Sequence, residues 1–198
     1  MAINKKEGIE LLSSYGLKTV QFINIEELLK SNEEVQEGMT LRVSPKGNYQ
    51  RNVMLPSIYN CKDKEKIKNF LVENQQKYNV FMHKTIRADK IGSVSKIHTI
   101  NQDMLILEVF KSFKDREKEN IDNRMIIPIL GGRYMISNME LMKKDEQDFN
   151  QFIDVFKNIR KLPFSSYNIE YFVKDGKIIF TEFTSEAKEF EEYLEIEY

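Results

Sequence analysis

Ile9, Leu12 and Tyr15 recur at helical spacing, and Gly16 follows where a left-handed C-cap sits, so the described pattern opens on a short helix. TVQF (19–22) then reads as a short strand. Asn24, with Glu27 three residues later, forms a capping-box pattern before Leu28 and Leu29 and predicts a second helix ending near Asn32. MTLRVS predicts a strand over 39–44. Residues 45–60 hold no sustained period and are punctuated by Pro and Gly, which predicts a long loop with room for one short strand. Loops of this length often carry function. Ile67, Phe70, Leu71 and Asn74 place a third helix over about 62–76, followed by the strand YNVFMHKTI (78–86) and by strands over about 91–99 and 103–110.

The mixed charges of KSFKDREKENIDN (111–123) predict a solvated connector or an exposed helix. RMIIPIL and RYMISNM flank Gly131-Gly132, a dipeptide with the backbone freedom of a tight hairpin. Phe149, Phe152, Ile153, Phe156 and Ile159 form a helical stripe that stops before Pro163, and EAKEFEEYLEIEY (186–198) closes the chain as an acidic helix or tail. Strands alternate with helices, yet several are joined by hairpins. The expected class is therefore α+β with antiparallel sheet.

Two carboxylates interrupt the last hairpin, YNIEYFVKDGKIIFTEF (167–183), in otherwise apolar runs: Glu170 and Glu182. Their relation depends on the turn, because a shift of register by one residue moves a side chain to the other face. A two-residue Asp-Gly turn pairs Lys174 with Lys177 and separates the acids. A three-residue loop, Lys174-Asp175-Gly176, pairs Val173 with Lys177 and puts Asn168, Glu170, Phe172, Ile178, Phe180 and Glu182 on one face. In that second register the acids are diagonal neighbours. Like charges so close need a cation or a proton, and hard oxygen ligands point to Mg2+ held jointly with a phosphate. The alternative is that both acids emerge into water at the sheet edge.

The totals narrow the field. The 198 residues fit one domain or two small subdomains. With 30 Lys and Arg against 31 Asp and Glu, no global field selects nucleic acid or an anionic membrane as partner. The single cysteine, Cys61, excludes an intramolecular disulfide framework and reads as an inert thiol, which with the absence of a signal-like or membrane-spanning apolar run leads us to expect a cytoplasmic protein.

Several stretches together resemble ATP-grasp enzymes. LRVSPKGN (41–48) is similar to the strand and phosphate-covering loop of that family, and NVFMHKTI followed by KIGSVSKI is similar to its adenine-holding hinge strand and the strand after it. NIDNRMIIPILGGRYMISNME (120–140) resembles the family's Asp-Ile-Arg strand and glycine hairpin, whose Arg faces the phosphates or the acyl group. The family also places an acid about a dozen residues before a Glu-x-Asn, and here Glu170 and Glu182 are twelve apart. GIELLSSYGLKTVQFINIEELL (8–29) is similar to the opening of the ATP-grasp core. The acid hairpin and Arg42-Val43-Ser44 also resemble the nucleotide half of phosphoenolpyruvate synthase.

The resemblance implies an ATP-grasp-like fold, with two subdomains of largely antiparallel sheet and a cleft between them. The smaller, nucleotide-covering part would run over about 38–90, and 1–37 with 91–198 would carry the acid hairpin. It implies ATP and Mg2+ as cofactors, with Glu170, Glu182 and Thr184 on the metal and Arg42, Lys46, Arg51, Met82, His83, Lys84 and Thr85 around the nucleotide. Arg124 would stabilise an acyl-phosphate. The implied activity is an ATP-dependent carboxylate-amine or carboxylate-thiol ligase acting on a small-molecule or peptide carboxylate.

The chain departs from the pattern where Thr184 replaces the Asn of Glu-x-Asn, where Gly47 is the one glycine of the phosphate loop, and where Lys84 replaces the hinge acid. It also begins where the ATP-grasp core begins, so a protein partner supplying the substrate domain is an expectation. A degenerate, non-catalytic relative that binds a ligand or protein, and a phosphotransferase resembling phosphoenolpyruvate synthase, are the alternatives. Glu108, in the apolar MLILEVF, reads either as a third acid near the metal or as a paired structural residue.

Overall fold

Side-chain caps fix where two of the helices begin. Asn24 Oδ1 accepts from the amides of Glu26 at 3.1 Å and Glu27 at 3.3 Å, and Asp63 Oδ1 accepts from those of Glu65 at 2.9 Å and Lys66 at 3.2 Å. The computed structural model describes residues 5–46, 55–98, 103–118, 121–135, 140–142 and 146–185. In order these form α1 (Lys5–Ser14), β1 (Phe22–Ile23), α2 (Ile25–Lys30), β2 (Met39–Pro45), β3 (Ser57–Cys61), α3 (Lys64–Asn74), β4 (Tyr78–Lys84), β5 (Lys90–His98) and β6 (Asp103–Phe110). Then follow α4 (Phe113–Glu117), β7 (Asn123–Leu130), β8 (Arg133–Tyr134), β9 (Glu140–Met142), α5 (Glu146–Ile159), β10 (Tyr167–Lys174) and β11 (Lys177–Thr184).

The strands make two sheets, so the fold is α+β with antiparallel pairing throughout the named strands. The smaller has the order β1-β4-β2-β3; the larger runs β11-β10-β5-β6-β7-β8, with β9 also on β7. Gly131 and Gly132 both take positive φ, +56° and +76°, as the expected hairpin between β7 and β8 requires.

The single strand expected at 19–22 is divided between the sheets. Lys18 O accepts from Phe180 N at 2.8 Å and Val20 N donates to Phe180 O at 3.1 Å, a parallel bridge along the outer edge of β11. Two residues later Phe22 and Ile23 pair with His83 and Met82 in the smaller sheet. The smaller sheet therefore recruits residues well before 38, and its core includes Ile25 and Val35 beside Leu41, Val43, Ile67, Phe70 and Met82.

The larger sheet buries its other face against α1 and α5. Leu12, Phe152, Phe156 and Ile159 meet Val94, Leu105, Met125, Tyr167, Ile169 and Phe180 in one core. From the smaller sheet, Arg42 reaches Glu182 on the opposite face of the larger one. Residues 186–198, the expected acidic helix or tail, and residues 47–54 of the 45–60 loop lie outside the described residues.

Candidate functional site

The turn between β10 and β11 has two residues, Asp175 and Gly176, both with positive φ (+49° and +69°), and Lys174 pairs with Lys177. This corrects the three-residue register. An uninterrupted ladder from that turn would set Thr181 across from Glu170 and send Glu182 to the core face. The ladder instead shifts between Tyr171, which pairs with Phe180, and Glu170, which pairs with Glu182. Thr181 is the extra residue of this β-bulge; it is buried, and its Oγ1 donates to Glu170 O at 3.3 Å. The bulge brings the acids directly opposite each other, closer than the diagonal arrangement, at about 5 Å between Cβ atoms. Their companions are Phe172 and Ile179, since Ile178 and Phe180 point into the core.

The pairing continues across the sheet. Glu170 stands opposite Ser93 on β5, Ser93 opposite Glu108 on β6, and Glu108 opposite Arg124 on β7. Directly paired residues share a face, so Glu182, Glu170, Ser93, Glu108 and Arg124 form one polar row over an apolar core. Beneath it Tyr171 OH donates to Glu108 O at 3.2 Å, in space left by Gly92, where a Cβ would lie 2.3 Å from Tyr171 Cζ.

Each acid of the row carries a cation from a different element. Arg42 Nη2, from β2 of the smaller sheet, donates to Glu182 Oε2 at 2.7 Å, and Lys5 Nζ, from α1, reaches Glu182 Oε1 at 2.8 Å. Arg116 Nη2, from α4, donates to Glu170 Oε1 at 2.6 Å. Arg124 holds Glu108 Oε1 through Nε at 2.9 Å and Nη2 at 2.6 Å. Four cations thus face three carboxylates. The ensemble has a surplus positive charge and suits an anion.

Burial opposes ionisation of Glu182, but Arg42 and Lys5 outweigh it and hold its carboxyl below the usual range. The same contest raises the Arg42 and Arg116 guanidinium groups: burial disfavours their charge, and Glu182 and Glu170 respectively overcome it. His83 is buried, and burial pushes its imidazole down despite the hydrogen bond Nδ1 donates to Lys84 O at 2.8 Å; Arg42 nearby adds to the depression. A neutral ring with Nδ1–H leaves Nε2 as an acceptor.

The other expected site residues have these places. Lys46 Nζ donates to Gln75 O at 2.5 Å, and Arg51 lies outside the described residues. Met82 is fully buried, and both Met82 and His83 pair with β1 on one side and β2 on the other. Lys84 is bound to Glu37 at 2.7 Å, while Thr85 Oγ1 meets Thr40 Oγ1 at 2.8 Å. Thr184 is two positions beyond Glu182 and directly opposite Asn168, so both lie on the face of the acids. Glu108 is paired with Arg124, as its structural reading expects, and shares the polar row with Glu170 and Glu182.

Lys5, Ser93 and Arg116 were not singled out by the sequence. For Lys5 a signal exists, since it precedes Ile9 by four residues on the helical stripe that α1 buries. Arg116 lies in the mixed-charge stretch expected to be solvated, and nothing in its spacing distinguishes it from its charged neighbours.

Oxygen donors fit a hard divalent ion here: two opposed carboxylates with a hydroxyl and an amide, Thr184 and Asn168, beside them. Among the described residues no three His, Cys, Asp or Glu side chains form a metal-binding group, so such an ion would complete its shell from a ligand.

No protein-family model matches the chain, and no curated protein matches it in sequence. Solved structures do match in fold. A protein of Pyrococcus horikoshii, PH1788, is 12% identical with a TM-score of 0.64, covering 92% of this chain and 90% of that one. Dinucleotide forming acetyl-coenzyme A synthetase 1 of Candidatus Korarchaeum cryptofilum, in complex with coenzyme A and Ca-AMPCP, is 8% identical with a TM-score of 0.60, covering 94% and 93%. N5-carboxyaminoimidazole synthetase of Staphylococcus aureus, complexed with ADP, is 13% identical with a TM-score of 0.52 over 93% of this chain and 44% of that one. This chain spans less than half the length of the last of these. The shared architecture is the ATP-grasp fold.

Proposed function

We propose that this ATP-grasp-fold chain binds ATP with Mg2+ in the cleft between its sheets and acts as an ATP-dependent carboxylate-amine or carboxylate-thiol ligase. The observation that carries the reading is the row of three carboxylates matched by cations from both sheets and two helices, with Glu170 directly opposite Glu182. Glu170 and Glu182, with Thr184 and Asn168 beside them, would hold Mg2+, which neutralises phosphate charge when bound. Asn168 supplies, from across the ladder, the amide that Thr184 lacks.

Arg42, which links the sheets through Glu182, would take a phosphate, and Lys46 and Arg51 would be its further cationic partners. The main-chain groups of Met82 and His83 are engaged by both neighbouring strands and the Thr85 amide donates to Gly38 O at 2.8 Å, so main-chain recognition of adenine would fall to Lys84 on the side that β1 does not cover and to the residues after Thr85. In the reaction a substrate carboxylate oxygen attacks the terminal phosphorus, the bond to the bridging oxygen breaks, and ADP leaves. Arg124 stabilises the acyl-phosphate until an amine or thiol displaces phosphate.

Isothermal calorimetry with ATP and Mg2+ tests the binding. The wild-type protein is expected to bind ATP in a magnesium-dependent manner, and the Glu170→Gln, Glu182→Gln double variant to lose that dependence. A wild-type protein with no magnesium-dependent binding refutes the reading. ADP release with a panel of acids and amines then separates a ligase from a nucleotide binder without catalysis. That second reading draws support from Lys5, which already occupies one oxygen of Glu182.

A further inference from the structure

We infer that Arg116 is a terminal-phosphate ligand, delivered by α4, that exchanges Glu170 for the nucleotide when the metal binds. The inference rests on the nucleotide reading above and adds a residue to it.

Three arginines stand along the polar row in a fixed order. Arg42 is at Glu182, Arg116 at Glu170 and Arg124 at Glu108, and these acids lie on β11, β10 and β6. Neighbouring strands are about 4.8 Å apart, so the middle position is one strand from Arg42's carboxylate and two from Arg124's. A polyphosphate entering from the smaller sheet meets Arg42 first. Arg116 is therefore next, before the acyl group at Arg124.

The geometry of α4 supports a switch of partner. Ser112 caps the helix by accepting from Asp115 N at 3.1 Å, and Phe113 packs edge-on against Phe172, with ring centroids 5.7 Å apart, on the same face as Glu170. The ring contact is a second link between α4 and the sheet, beside the ion pair that Arg116 makes. A guanidinium carries five N–H donors in a planar fork, of which Nη2 serves Glu170. Its side chain keeps 32% exposure, unlike the 16% of Arg124, so a ligand in the cleft can reach it. When a divalent ion takes Glu170, the guanidinium loses its counter-charge, and a phosphate oxygen restores it.

The test compares a non-hydrolysable ATP analogue with ADP, each with Mg2+, by calorimetry on the wild type, Arg116→Gln and Arg116→Lys. Contact with the terminal phosphate predicts that the wild type prefers the triphosphate and that Arg116→Gln cuts this preference by about ten- to hundredfold. Arg116→Lys keeps the charge without the fork and is expected to lose less. A role confined to positioning Glu170 would shift both nucleotides equally, so an unchanged triphosphate-to-diphosphate ratio in both variants overturns the inference while leaving nucleotide binding intact. A wild-type protein that binds neither nucleotide with magnesium overturns both.

Discussion

Glu182 shows how the surroundings of one side chain set its chemistry. Partly buried, it would be driven toward protonation, yet Arg42 and Lys5 reverse that outcome and hold its carboxyl below the usual range. Because its folded value is depressed, the carboxylate contributes stability that is present above the unfolded value and lost as pH falls through the folded one. Melting temperature should therefore fall as pH drops below about 4.5, and Glu182→Gln should show a shallower acid limb. Superimposable acid limbs for the two proteins, by circular dichroism, would refute that assignment. The identity of the acids was legible from their apolar company. Their cations were not, because Lys5, Arg42 and Arg116 come from 177, 140 and 54 positions away along the chain from the acids they hold.

Elements with local causes were also legible. Asn24 and Asp63 cap the helices they precede, and Gly131-Gly132 turns the hairpin it marks. The bulge at Thr181 was not, because a ladder that slips by one residue leaves no periodic trace. The turn and the bulge are each a local irregularity, and only their combination puts Glu170 and Glu182 together. α1 depends on a similar local fit. At Gly8 a Cβ would lie 2.9 Å from Phe183 Cβ and 3.1 Å from Phe183 O, atoms that cannot swing aside. Alanine favours a helix over glycine by about 1 kcal/mol, whereas overpacking costs about 1–3 kcal/mol. Gly8→Ala is therefore expected to destabilise the chain by up to about 2 kcal/mol in urea denaturation. A stabilised variant would mean that α1 does not rest on β11 through this contact.

For the whole molecule, the Arg42 to Glu182 ion pair links two sheets that each have a core of their own. A ligand held from both sides should stabilise the folded chain by mass action, about 2.7 kcal/mol at a hundredfold excess over Kd. The melting temperature should thus rise with ATP concentration when Mg2+ is present and stay level with ATP alone. An equal rise without magnesium would remove the metal from the account.

The α+β class followed from hairpins read in the sequence, whereas the division of residues 18–23 between the sheets did not, since one apolar run serves both. That division bears on association as well as on the cleft. By giving Phe180 backbone partners at residues 18 and 20, the segment occupies part of the outer edge of β11, so a strand from another molecule cannot extend the larger sheet there without displacing it.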